Sequence, residues 1–144
     1  MNDPISVPDV FARSDAADAS VVISICTTCK AQDATAEVVG PNLLAAVRDV
    51  VPAGDGIAVR AVQCLGVCKR PTTAAVSGPD RYTFVFADIE PADGATALRD
   101  FARSYARSDY GLVPWRERAQ VLRRGMIARI PPALWSPENG EPPK

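Results

Sequence analysis

The run Val21-Val22-Ile23-Ser24-Ile25 is short, β-branched and almost continuously apolar, the pattern of a strand covered on both faces. Before it, residues 1–18 mix Pro4, Pro8 and the acids Asp3, Asp9, Asp15 and Asp18 with small residues and hold no period, which predicts a flexible N-terminal arm. A polar stretch, Lys30 to Val39, follows the strand, and Gly40-Pro41 then opens a different pattern. Leu43, Leu44, Val47, Val50 and Val51 recur at helical spacing, Pro41 suits a first turn, and Pro52 with Gly54-Asp55-Gly56 stops the helix. Ile57 to Gln63 is a second strand. Thr72–Val76 and Tyr82–Phe86, joined by Ser77-Gly78-Pro79-Asp80, predict a hairpin. Ala95, Leu98, Phe101, Ala102 and Tyr105 mark an amphipathic helix.

The chain after residue 110 is less regular. Pro114 to Arg124 places Trp115, Ala119 and Leu122 on one helical face, and Gly125 suits a helix stop. Met126–Ile130 reads as a short strand or an extended arm, and Pro131, Pro132, Pro137, Pro142 and Pro143 predict an extended, mobile tail. The order strand, helix, strand, then hairpin and helix is a βαβ-ββα core of the α/β class with a mixed four-stranded sheet. A crossover of this length implies parallel first and second strands with a right-handed connection, so both strands end on one edge of the sheet. The expected divisions are an arm over 1–18, a core domain over 19–110, a basic extension packed on it over 111–130, and a Pro-rich tail over 131–144.

That shared edge matters because each of the first two strands runs into a cysteine pair. Cys26-Thr27-Thr28-Cys29 follows the first and Cys64-Leu65-Gly66-Val67-Cys68 follows the second, and these are all the cysteines of the chain. Two close thiolate pairs match the way a [2Fe-2S] cluster is held, two sulfurs to each tetrahedral iron. The same set can close a four-thiolate zinc site organising a surface for protein binding. Cys26, Cys29, Cys64 and Cys68 are therefore the candidate metal and cofactor ligands, with a [2Fe-2S] cluster expected first and Zn as the alternative. Gly66 lets the second loop turn, and Thr27 and Thr28 leave room around the first pair while offering hydroxyl donors to sulfur. Lys30, Lys69 and Arg70 flank the loops; they can supply positive charge to the centre or orient an acidic partner, or be ordinary solvated loop residues. A rival is a thioredoxin-type disulfide oxidoreductase using Cys26 and Cys29. That chemistry needs a helix starting within the motif to acidify the first thiol, and here a polar stretch intervenes and the second pair has no role.

Composition narrows the field further. The chain has 144 residues, 47% of them hydrophobic, enough for one compact domain with a sizeable core. It has no histidine, which removes mixed Cys/His zinc fingers, Rieske-type ligation and Cys-His or Ser-His catalytic pairs. A net charge of −1 does not suggest nucleic-acid binding, although Arg116, Arg118, Arg123, Arg124 and Arg129 gather near the C-terminus as a candidate docking surface. No run approaches the roughly 20 apolar residues of a membrane span, and the start of the chain has no secretory pattern, so a cytoplasmic location is expected, where paired cysteines more often mean metal or redox chemistry. Phosphate-binding glycine loops, paired catalytic carboxylates and nucleophile elbows are missing, so the chain reads as an electron carrier or metal-binding protein and not an enzyme.

Element order and cysteine placement over roughly residues 20–107 resemble the thioredoxin-like [2Fe-2S] ferredoxins, including the small thioredoxin-fold subunit of respiratory NADH dehydrogenase. That resemblance implies a thioredoxin-like fold, electron transfer between a reductase and an acceptor enzyme, and pairing as a homodimer. Those ferredoxins space their first two ligands more widely than Cys-x2-Cys, so the division of sulfurs between the irons stays open. Ile25-Cys26-Thr27-Thr28-Cys29, Cys64-Leu65-Gly66-Val67-Cys68 and Gly111-Leu112-Val113-Pro114-Trp115-Arg116-Glu117-Arg118 together resemble the bacterial family called domain of unknown function 1636, whose members are described as predicted metal-binding proteins.

Overall fold

The computed structural model describes residues 20–32, 35, 37–52 and 54–143; the expected N-terminal arm lies outside them. Strand β1 (Val21–Cys26) runs through the middle of the sheet, with Val21, Ile23 and Ile25 fully buried. Helix α1 (Gly40–Val50) follows and buries Leu43 and Val47, and it leads to β2 (Ile57–Val62), parallel to β1. The hairpin of β3 (Ala74–Ser77) and β4 (Thr83–Phe86) lies on the other side of β1, and α2 (Pro91–Arg107) crosses back. The apolar stripe of α2, read from the sequence, is the stripe it buries: Ala95, Leu98, Phe101, Ala102 and Tyr105. Phe101 meets Phe84 and Phe86 edge-on at centroid distances of 5.2 and 5.1 Å, contacts that each add about 0.5–1.5 kcal/mol to the area they bury.

The sheet has five strands in the order β2-β1-β3-β4-β5, one more than the four expected. Met126–Ile130 is β5, antiparallel to β4 with Thr83 opposite Ile130 and Phe84 opposite Arg129. Without it, β4 would leave its backbone groups unpaired at an edge beside two buried phenylalanines, an arrangement that invites association. Gly125 makes the join: its carbonyl accepts from the Ala87 N–H at 2.7 Å, and a Cβ there would stand 2.2 Å from the Ala87 carbonyl oxygen.

The continuous helix expected from Pro114 to Arg124 is instead two short pieces, a 3-10 turn at Trp115–Glu117 and α3 (Gln120–Gly125). Arg118 separates them with an extended backbone (ψ 141°). Its guanidinium folds back onto the Val113 carbonyl (Nε 3.1 Å, Nη2 2.9 Å) and lies over the rings of Phe84 and Trp115. Burial, with a smaller contribution from the charge of Arg129, pulls its pKa down. This arginine is an internal clamp, not part of a solvated basic face. Within the Pro-rich stretch, Trp135 is only 4% exposed and meets Tyr82 and Tyr110 edge-on at 5.0 and 5.2 Å. Among the described residues, no helix is long and apolar enough to cross a membrane.

Candidate metal centre

Parallel pairing of β1 with β2 puts Cys26 opposite Val62, so the chain leaves both strands at the same level and the two cysteine loops emerge side by side. Three contacts tie them together. The Thr27 N–H and the Thr27 hydroxyl donate to the Val62 carbonyl at 2.9 and 3.0 Å, and the Thr28 hydroxyl donates to the carbonyl of Gln63. The expectation that both threonine hydroxyls serve the sulfurs is corrected for Thr27, whose hydroxyl binds the end of β2, whereas the Thr28 hydroxyl also lies 3.7 Å from Cys26 Sγ. Across the groove, Gln32 Nε2 donates to the Cys68 carbonyl at 3.3 Å.

Each cysteine pair is close. Cys26 Sγ and Cys29 Sγ are 3.1 Å apart, Cys64 Sγ and Cys68 Sγ 3.9 Å, and all four thiols are free. A tetrahedral metal with metal–sulfur bonds of about 2.3 Å holds two of its sulfurs roughly 3.8 Å apart, so the outer pair already has the bite of one metal and the inner pair needs only to open slightly. Among the described residues, no three metal-binding side chains stand close enough to hold one ion. The arrangement is two plus two, not four around a point. Cys26 and Cys29 are buried at 2% and 3% exposure, whereas Cys64 and Cys68 are exposed.

Electrostatics follow this asymmetry. Burial opposes ionisation of Cys26, but hydrogen bonding to Cys29, Thr28 and Thr73 outweighs it and brings the thiol down to about 7. Burial and the neighbouring Cys26 push Cys29 up. Cys68 is raised through its contact with Cys64 and that residue's charge, and Cys26 adds a smaller share, so the two pairs stand within electrostatic reach of each other. On the second loop, the Gly66 N–H donates to Cys64 Sγ at 3.2 Å, with Gly66 in the left-handed region (φ 81°). Of the flanking cations, Arg70 is bound to Asp88 at 2.7 Å, whereas Lys30 and Lys69 are solvent-exposed.

Sequence reasoning missed Thr73, at the entrance to β3. It is fully buried, its carbonyl accepts from the Cys26 N–H at 3.1 Å, and its hydroxyl lies 3.5 Å from Cys29 Sγ. Gly40, used above only as a helix signal, is also part of the site: the N–H groups of Val39 and Gly40 donate to the Cys29 carbonyl at 2.8 and 3.4 Å, so α1 begins against the backbone of the first loop and not against a thiol.

The family described as a protein of unknown function (DUF1636) matches residues 23–132, which hold both cysteine pairs and run past β5. The chain belongs to this family. A search of curated proteins finds no match. Two solved structures of thioredoxin-like [2Fe-2S] ferredoxins from Aquifex aeolicus are similar to this DUF1636 protein at 11% identity. One has a TM-score of 0.52 over 81% of this chain and 99% of the ferredoxin, and the wild-type form has 0.50 over 76% and 98%. The fold of the DUF1636 protein is accordingly thioredoxin-like, with β5 as the strand beyond the expected four.

Proposed function

We propose that this protein is a one-electron carrier that holds a [2Fe-2S] cluster on Cys26, Cys29, Cys64 and Cys68 and passes electrons between a reductase and an acceptor enzyme in the cytoplasm. The observation that carries the reading is the two-plus-two arrangement: two thiol pairs, each near the bite of one tetrahedral metal, brought out side by side by parallel strands. A binuclear cluster asks for that grouping, whereas a four-thiolate zinc site asks for one shared centre. The thioredoxin-like fold shared with two [2Fe-2S] ferredoxins supports the same reading.

Once bound, the cluster supplies a one-electron couple; the chain supplies its surroundings. Cys26 and Cys29, buried among β1, β3 and the start of α1, keep water from one side of the site. Cys64 and Cys68, on an exposed loop, leave the other side open to a redox partner, and exposed Lys30 and Lys69 offer that partner positive charge.

Anaerobic purification followed by iron, acid-labile sulfide and zinc assays tests the proposal. Two irons and two sulfides per chain with a paramagnetic signal on reduction are expected. A colourless protein carrying one zinc and no sulfide would sink it.

A further inference from the structure

Three threonines surround the inner cysteine pair, and a threonine hydroxyl has one proton to donate. Thr27 directs its proton to the Val62 carbonyl and Thr28 to the Gln63 carbonyl. The Thr28 hydroxyl also stands 3.7 Å from Cys26 Sγ and helps bring that thiol down, but its nearer partner is the Gln63 carbonyl. The hydroxyl of Thr73 lies 3.5 Å from the Cys29 sulfur, where it is the leading hydrogen bond, and lends only a minor share to Cys26. Thr73 is fully buried, so bulk water does not compete. A cysteine bound to a metal is a thiolate and has no proton to give, so between these two groups the hydroxyl must be the donor.

We propose that Thr73 is a positioning residue of the centre, donating its hydroxyl proton to the Cys29 sulfur and thereby raising the reduction potential. This deepens, and rests on, the cluster reading above. The same residue holds the other inner ligand through its backbone, since its carbonyl accepts the Cys26 N–H. A hydrogen bond to a ligating sulfur withdraws electron density from it and favours the state with the extra electron, and in a water-excluded pocket the effect is little screened. On the outer side, the Gly66 N–H plays the matching part for Cys64. Inner and outer sulfurs are thus tuned by different donors, of which only the inner is a side chain and can be deleted without rebuilding the loop.

The test compares the full-length wild-type protein with Thr73→Val, which keeps shape and backbone but has no hydroxyl, and Thr73→Ser, which keeps the hydroxyl. In anaerobic dye-linked titrations, Thr73→Val is expected to shift the reduced-to-oxidised ratio at fixed potential about tenfold toward oxidised, equivalent to about 59 mV for one electron. Thr73→Ser should stay within about twofold of wild type. The same three proteins loaded with cobalt(II) give a readout that needs no cluster: the thiolate-to-cobalt charge-transfer band should move to lower energy in Thr73→Val and return in Thr73→Ser. A Thr73→Val protein matching wild type in both measurements overturns the assignment, as does a Thr73→Ser protein displaced as far as Thr73→Val. If wild type assembles no iron and sulfide, the cluster reading falls and the cobalt band alone decides for or against Thr73.

Discussion

Replacing Gly40 by alanine tests how tightly the first helix is seated against the first cysteine loop. An added Cβ would stand 2.1 Å from the carbonyl oxygen of Cys26 and 3.0 Å from the Thr27 Cα, both backbone atoms that no side-chain rotation can move. Reaching even 3.0 Å requires about 0.9 Å of separation between the start of α1 and the end of β1. Forced overpacking of that kind typically costs about 1–3 kcal/mol. The movement would also stretch the two bonds into the Cys29 carbonyl, each contributing about 0.5–1.5 kcal/mol. Better helix propensity returns at most about 1 kcal/mol, and less than that in a first turn. The net expectation is a loss of about 1–6 kcal/mol, or on the order of 3–22 °C in melting temperature for a chain of this size. Thermal melts of the metal-free protein followed by circular dichroism measure it. Gly66→Ala is the control: nothing lies within 4 Å of its added Cβ, so only its positive φ opposes the change, at about 1–2 kcal/mol. Because the displaced atoms carry Cys26 and Cys29, Gly40→Ala should also load less metal per chain than Gly66→Ala. A Gly40→Ala protein melting within 2 °C of wild type, by the same size scaling, would refute the close approach.

Cys26→Ser and Cys29→Ser are expected to abolish cluster assembly, because a buried hydroxyl is a poor replacement for thiolate, whereas Cys64→Ser on the exposed loop should retain a weaker, oxygen-ligated centre; iron and sulfide analysis with electron paramagnetic resonance separates the cases. In metal-free protein with Cys64 and Cys68 replaced by serine, thiolate absorbance should show one group titrating near pH 7, assigned to Cys26, and Cys29→Ala should raise it by removing its leading stabilising hydrogen bond. Since that folded value lies below the ordinary 9.0, the stability it lends is fully present above about pH 9 and is lost as the pH falls through 7, which pH-dependent melts of the same protein can follow. Trp135→Ala should cost about 3–5 kcal/mol in urea denaturation by emptying the space between Tyr82 and Tyr110. Trp135→Phe should cost less, since the buried indole nitrogen has no hydrogen-bond partner to lose.

The parts of the fold legible in the sequence are those whose pattern is local. The continuous apolar run of β1, the helical spacing of Leu43 and Val47, and the five-residue stripe of α2 each announce burial without reference to anything distant. Strand β5 is different. Met126–Ile130 mixes apolar residues with Arg129, and it becomes a strand because β4 offers it an open edge, a tertiary fact. Arg118 was misread for a related reason: composition records its charge but not that Val113, Phe84 and Trp115 have closed around it. In the site, cysteine spacing is visible to the eye and the role of Thr73 is not. Thr72-Thr73 looks no more promising than Thr27-Thr28, and only the antiparallel pairing of β3 with β1, which sets Ala74 opposite Ile25, brings the Thr73 hydroxyl to a sulfur.

The distances between the sulfurs bear on how they would divide between the two irons of the proposed cluster, which spacing alone leaves open. Four ligands can be split into twos in three ways. Only the split by sequence neighbours, Cys26 with Cys29 and Cys64 with Cys68, groups sulfurs that already stand at 3.1 and 3.9 Å. The crossed alternatives would pair sulfurs from different loops, whose relative positions are held by the Thr27 and Thr28 bonds to the end of β2 and the Gln32 bond to the Cys68 carbonyl. Under the proposed cluster reading, the sequence-neighbour split would give a bound centre two unlike ends, held by buried Cys26 and Cys29 on one side and by exposed Cys64 and Cys68 on the other. Were a cluster held there, the charge added on reduction would be cheaper to place on the side of exposed Cys64 and Cys68, where water can approach, than on the side of buried Cys26 and Cys29.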